Sequence, residues 1–379
     1  MHRRTFLAST VGVTLASLAA GCQRWPSGSL VLATLTGSVP GQLVQAFQRQ
    51  IQSSSGDQVS VVARDSLLEL YGLLQTWHGT TQANPAPSTA PPIAAQWVTQ
   101  ADTWLAPAIQ QELIQPITTD TLERWPQLPD TWPALVRRNA QGLPDAAGEV
   151  WGIPYRWTPL AILYDRRTLG ARVAPVQGWA DLLRPEWNQR LMLPNDERLV
   201  IGLALKALNL SANTLDLATI PELDAFLTQL HRQVRWYNAT QSLKALIIGD
   251  AAAIVGWLDA LLPVAQRYRH LTLAIPTEGT LASADLWVQP SAAPAPSPLA
   301  IDWLNFCLSD SFTEQMAIYS QGLTPWHWKA ASSELPPAFQ SAADLIRSLD
   351  GLAQSEFLSP LPNDAQAQYA DLWQRLRTG

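Results

Sequence analysis

Gly249-Asp250-Ala251-Ala252-Ala253-Ile254-Val255-Gly256-Trp257-Leu258-Asp259 is the stretch on which the fold of this chain turns. Small and β-branched residues from Ala252 to Val255 spell a short buried strand. A glycine closes the run, and Trp257 and Asp259 follow it, two residues apart. On an extended chain that spacing puts both side chains on one face. An indole beside a carboxylate suits an alkyl-ammonium, since the ring takes the methylenes and the carboxylate takes the charge. The same residues also read as a core tryptophan followed by a solvated aspartate at a helix N-terminus. The surrounding chain has to choose between the two.

Working outward, strands and helices alternate on both sides. Leu191-Met192-Leu193 is a short strand, and Pro194-Asn195-Asp196-Glu197-Arg198 opens a helix over Leu199 to Leu208. Pro221 to Gln233 is an amphipathic helix, Val234 to Asn238 a strand end, and Thr240 to Ile248 a helix. Leu271 to Ile275 and Asp285 to Val288 are strands. Nearer the N-terminus, Ser29 to Leu35, Val59 to Ala63 and Ile93 to Val98 are β-prone runs. Helical spacing lies between them, at Gln42 to Ile51 and from Asp65 through Trp77. Such alternation predicts an α/β fold with mainly parallel sheets. Ala101-Asp102-Thr103-Trp104 falls at a strand's C-terminal end, where α/β sheets place ligand loops. Ala108 to Ile114 and Trp125 to Asn139 read as helical, the latter broken by prolines. So do Leu299 to Leu308, Ser311 to Tyr319, Ala338 to Leu345 and Tyr369 to Arg377. The proline-rich run 84–92 is an exposed loop insertion.

With 379 residues, 47% of them hydrophobic, the chain can build one large or two medium lobes with real cores. Charged residues make up only 15%, the net charge is −6, and no basic patch stands out, which argues against nucleic acid as a partner. Two cysteines, Cys22 and Cys307, are too few for a disulfide framework, and Cys307 reads as a buried helical thiol. Seventeen tryptophans stand against 7 tyrosines and 7 phenylalanines, more than a plain scaffold calls for.

Residues 1–21 read as a signal peptide. His2-Arg3-Arg4-Thr5-Phe6-Leu7 is a basic start that resembles a twin-arginine signal, and the uncharged run Ala8 to Ala20 is too short to span a membrane. Leu18-Ala19-Ala20-Gly21-Cys22 resembles a lipobox, with Cys22 as the lipidated residue, although Ala19 stands where leucine is usual. Ordinary cleavage nearby with an unmodified Cys22 is the alternative. Either route exports the protein. Removing residues 1–21 discards two arginines and no carboxylate, which takes the net charge from −6 to −8.

Signatures of catalysis are missing from the sequence. It has no His-Glu-x-x-His, no Cys/His metal spacing, no Gly-x-Ser-x-Gly and no glycine-rich phosphate loop. His231 reads as part of a solvated helix face. Carboxylates are numerous, yet no two are spaced as a defensible glycosidase pair.

Six blocks in order carry a resemblance: Gly152-Ile153-Pro154-Tyr155-Arg156-Trp157; Gly178-Trp179-Ala180-Asp181-Leu182-Leu183-Arg184-Pro185-Glu186-Trp187; Asn195 to Thr214; Gly256-Trp257-Leu258-Asp259; Ile275-Pro276-Thr277-Glu278-Gly279; and Trp303 to Leu308. Gly322-Leu323-Thr324-Pro325 closes the series. The chain resembles the periplasmic spermidine/putrescine-binding proteins of bacterial ABC importers, within the extracellular solute-binding proteins. The resemblance implies a two-lobed periplasmic-binding-protein fold of type II, each lobe a mainly parallel sheet flanked by helices. It implies a first lobe of 28–157 plus 258–290 and a second of 158–257 plus 291–379. It also implies a monomeric, non-enzymatic periplasmic receptor without a metal or cofactor. Such a receptor, anchored to the membrane by lipid on Cys22, holds a cationic amine between its lobes and hands it to the importer's permease.

Residue by residue, the resemblance makes Asp196 a ligand carboxylate and Trp257 with Asp259 a Trp-x-Asp pair. Trp236 falls near a stacking tryptophan, and Thr36 matches a threonine of the loop after the first strand. Four positions depart: Leu199 replaces a glutamate, Leu35 and Ser38 replace aromatics beside Thr36, Ala101 to Thr103 replace Ser-x-Tyr, and Ser283 replaces an aromatic. Asp102 and Trp104, in the same loop, are candidates to replace part of what is lost. Losing a carboxylate matters, because an ammonium buried without an acceptor is costly. Rival readings are a receptor of this fold for an anion, a metal or a sugar, and an exported carbohydrate-active enzyme.

Overall fold

The computed structural model describes residues 29–52, 57–82, 94–169, 174–320, 322–330, 334–337 and 349–378. The export signal with Cys22, the 84–92 insertion and the helix expected over 338–345 lie outside the described residues.

Three parallel strands open the fold: β1 (Ser29–Leu35), β2 (Gln58–Arg64) and β3 (Trp97–Ala101), with α1 (Gly41–Gln52) and α2 (Leu67–Gln82) between them. β1 pairs with both β2 and β3. After α3 (Leu105–Gln110), β4 (Ile114–Gln115) and α4 (Thr131–Val136) come β5 (Arg137–Arg138) and β6 (Glu149–Val150). The helix expected to reach Asn139 stops at Val136, because Arg137 and Arg138 find antiparallel partners in β6. β7 (Ile153–Asp165) follows and is buried at every residue except Thr158.

The second half-sheet takes β8 (Leu191–Leu193), α5 (Glu197–Ala207), α6 (Pro221–Gln233), β9 (Val234–Tyr237), α7 (Ala239–Ile248), β10 (Ala253–Trp257), α8 (Leu258–Arg267) and β11 (Leu271–Ala274). Then come β12 (Leu281–Pro290), α9 (Pro298–Cys307), α10 (Asp310–Ser320), β13 (Glu356–Phe357) and a C-terminal helix, Asn363–Thr378. Local chemistry sets the boundaries of these elements. The Asn238 side chain accepts from Gln241 N at the start of α7, and Gly249, at φ 87°, ends that helix. Ser297 and Pro298 open α9.

β7 is the spine. Through Pro159 it pairs with β12, and from Leu160 onward with β10 and β11. The sheet order is therefore β2-β1-β3-β12-β7-β10-β8-β9, a mixed α/β architecture with two halves joined by β7. The expected lobe division needs correction. Residues 258–274 join the second half, not the first, because β11 pairs with Ile162 to Asp165. Residues 298–320 join the first half, where Trp303 packs edge-on to Phe47 of α1 at 5.1 Å. The chain returns to the second half only near β13, which pairs with Leu281 and Ala282, and the C-terminal helix packs there. Motif order suggested crossings after Trp257 and near Pro290, whereas backbone hydrogen bonding decides which half each strand joins.

Among the described residues, seven tryptophans are fully buried: Trp97, Trp132, Trp157, Trp179, Trp187, Trp287 and Trp303. The first five donate their indole N–H to a backbone carbonyl, so much of the tryptophan excess is core. Cys307 is a free buried thiol, pushed up by burial. His231 is half-buried and lines an open groove, so it is not simply solvated. It stacks on Tyr237 with a 2.9 Å bond between Nδ1 and the phenol oxygen.

Candidate ligand-binding cleft

Strand register brings the loops together. β1 and β3 run parallel in the first half, and β8, β9 and β10 run parallel in the second. Ala101 sits opposite Asp285, Ser283 opposite Thr158, and Trp257 opposite Leu160. The C-terminal ends of both sets of strands thus meet at the middle of β7, the place where α/β sheets hold ligands. An open cavity of about 430 Å³ lies there, lined by Leu35, Thr36, Ser38, Arg156, Asp259 and Tyr319 among others.

Arg156 dominates this cavity. Its Nη2 donates to Asp259 Oδ2 and its Nε to Asp285 Oδ2, each at 2.8 Å. Its side chain is 10% exposed, against 23% for Asp259 and 12% for Asp285. Asp259 belongs to the second half and Asp285 to the first, so one guanidinium spans the two. Thr158 Oγ1 donates to Asp259 Oδ1 at 3.2 Å. Burial disfavours the charge on Arg156, but the carboxylates of Asp285 and Asp259 outweigh that cost and hold it above its ordinary value. Arg156 is cationic throughout the range in which proteins fold.

Across the cavity, Thr36 Oγ1 is 2.9 Å from Asp65 Oδ1 at the exposed rim. The Ser38 hydroxyl is buried and receives a bond from the Tyr155 phenol at 3.0 Å. Tyr155 in turn stacks on Trp287. The first wall is therefore rigid and polar, where the family pattern expected aromatics.

The other expected residues scatter. Trp257 ends β10 while Asp259 lies in the first turn of α8, so the two do not share one extended stretch. Trp257, partly buried, packs against the second core. Asp196 stands at the same sheet end, exposed, and caps α5 by accepting from Leu199 N at 3.0 Å. Trp104 leans on Tyr71, ring centroids 4.7 Å apart. Trp236 is 47% exposed on β9, under the Arg235 guanidinium, and lines a separate groove of about 1000 Å³ with Arg232, Lys244 and Arg377. The structure brings Thr36 and Asp259 together and leaves Trp236 elsewhere.

Asp102 is buried behind β12. It accepts from Ala284 N at 2.9 Å and from Ser283 Oγ at 3.1 Å, and its Oδ2 has no partner. Burial pushes its carboxyl up to about 6, against the pull of those bonds and of the buried Arg138. A folded pKa above the unfolded one gives stability that is complete below the unfolded value and lost as pH rises through the folded value. Denaturant titration should show wild type losing roughly 2 kcal/mol relative to Asp102→Asn between pH 4 and pH 7. Parallel curves for the two proteins would refute it.

Comparison with known proteins decides the family. The family described as bacterial extracellular solute-binding protein matches residues 98–345, more than half of the chain. The chain belongs to that family. The spermidine/putrescine-binding periplasmic protein of Salmonella typhimurium is 25% identical over 232 residues, covering 60% of this chain and 64% of that relative. Its Escherichia coli counterpart is 26% identical over 234 residues with the same coverage, so the match spans under two thirds of either relative. Among solved structures, the spermidine/putrescine ABC transporter substrate-binding protein PotD from Streptococcus pneumoniae superposes with a TM-score of 0.71. It is 20% identical and covers 93% of this chain and 99% of its own, which establishes a shared fold.

As a solute-binding protein the chain carries two charged residues that sequence reasoning passed over, Arg156, which lines the cavity, and Asp285, bonded behind it. Arg156 stood inside a quoted block, and Asp285 served only as the first residue of a strand. A lone arginine in a run of buried residues is the signal that could have raised the question, since buried charges need partners.

Proposed function

We propose that this protein captures a small organic cation of the amine class between its two halves and delivers it to the permease of an ABC importer. The observation that carries this reading is Asp259, held at the cavity opposite Thr36 with an oxygen in each of two bonds, to Arg156 and to Thr158. The names of the relatives, spermidine- and putrescine-binding, support the amine class. Asp196, Trp257, Asp102, Trp104 and Trp236 remain proposed contributors, the first two by their place at the cleft-facing sheet end. Export by the N-terminal signal, anchoring through lipidated Cys22 and a monomeric state complete the proposal.

Calorimetric titration with spermidine, putrescine and monoamines tests it. Binding of at least one amine, with affinity falling as ionic strength rises, is the expected result. Absence of heat with every amine would overturn the reading, and salt-independent binding would point to a neutral solute.

A further inference from the structure

We propose that Arg156 sets the ligand's charge: the cleft takes an amine bearing one cationic group and discriminates against those bearing two or more. This rests on the amine reading above. Asp259 lines the cavity and Asp285, buried behind Arg156, bonds to the same guanidinium, so two negative charges meet at the middle of β7. An open pair of carboxylates would suit a diamine, one ammonium to each. Here the chain supplies one cation itself, bonded to both acids at 2.8 Å and nine-tenths buried. The triad therefore keeps one net negative charge, enough for a single ligand ammonium.

Neighbouring charges leave this count unchanged. Asp102 faces the buried Arg138, which offsets it. Asp65 at the exposed rim and Asp196, exposed where it caps α5, are both screened by water. A second ligand ammonium would approach Arg156 with no desolvated carboxylate left over, and repulsion between like charges in a partly desolvated cleft is not screened away. The walls opposite, Thr36 and Ser38, are hydroxyls that suit a neutral polar end of the ligand.

The test uses two probes of equal length, putrescine and 4-aminobutanol, which differ by one ammonium against one hydroxyl. Wild-type protein should bind 4-aminobutanol at least tenfold more tightly than putrescine. Arg156→Met, which frees two carboxylates, should reverse that preference by at least tenfold. The double variant Arg156→Met/Asp285→Asn restores a single negative charge and should return to 4-aminobutanol. It also guards against misfolding of the single variant, since replacing both partners of a buried pair is well tolerated. Wild-type protein that binds putrescine as tightly as 4-aminobutanol or more so overturns the inference while leaving the amine reading intact. A ratio that Arg156→Met leaves unchanged also overturns it. Failure of wild type to bind either probe, or any other amine, sinks the amine reading itself.

Discussion

Asp259→Asn should weaken amine binding by about 30-fold or more in calorimetric titration. The asparagine carbonyl can accept from Arg156 while its amide NH2 donates to the Thr158 hydroxyl, so the side chain keeps its place and only the charge is lost. What remains is Arg156 against Asp285, a neutral pair, and an incoming ammonium meets no net attraction. Removing one partner of a desolvated charge pair typically costs about 2–5 kcal/mol of binding, about 30-fold or more. Folding should suffer less, because Asp285 still satisfies the guanidinium and Asp259 is 23% exposed. An affinity within threefold of wild type would remove Asp259 from the binding site.

Trp157→Ala is expected to cost about 3–5 kcal/mol in urea denaturation, the range for emptying a buried aromatic site. Trp157 is 1% exposed and sits on β7 next to the point where the strand changes partners. Its indole N–H donates to Thr324 O at 2.9 Å, and its ring meets Trp328 edge-on at 4.8 Å. Its backbone N–H also donates to Leu323 O. One side chain therefore ties the spine to the 323–328 segment, and truncation leaves both a cavity and an unpaired carbonyl. A loss below 1 kcal/mol would mean that this segment is not held through Trp157.

How much of this was legible beforehand differs from residue to residue. Ala252 to Val255 declared a strand because small and β-branched side chains suit a buried, pleated surface, and β10 spans Ala253–Trp257. Asp196 before Glu197 announced a helix start, and it is one. Trp257 and Asp259 misled because the two-residue spacing assumed an extended chain, whereas α8 begins at Leu258 and turns the carboxylate toward Arg156. Trp236 stands apart from the cavity, which was not legible because a strand's two faces look alike in sequence, and its indole lies in the groove with Arg232 and Lys244.

By itself the sequence determined the alternation of strands and helices, the family blocks, and a carboxylate at position 259, since propensity and motif spacing are local properties. Tertiary structure alone decided which half each element joins, because pairing partners such as Ile162 to Asp165 and Leu271 to Ala274 lie about a hundred residues apart. It alone set Arg156 between Asp259 and Asp285, 103 and 129 residues away. A buried charge must find opposite charge wherever the fold supplies it, and that meeting is written in the register of β7, not in any neighbouring residue.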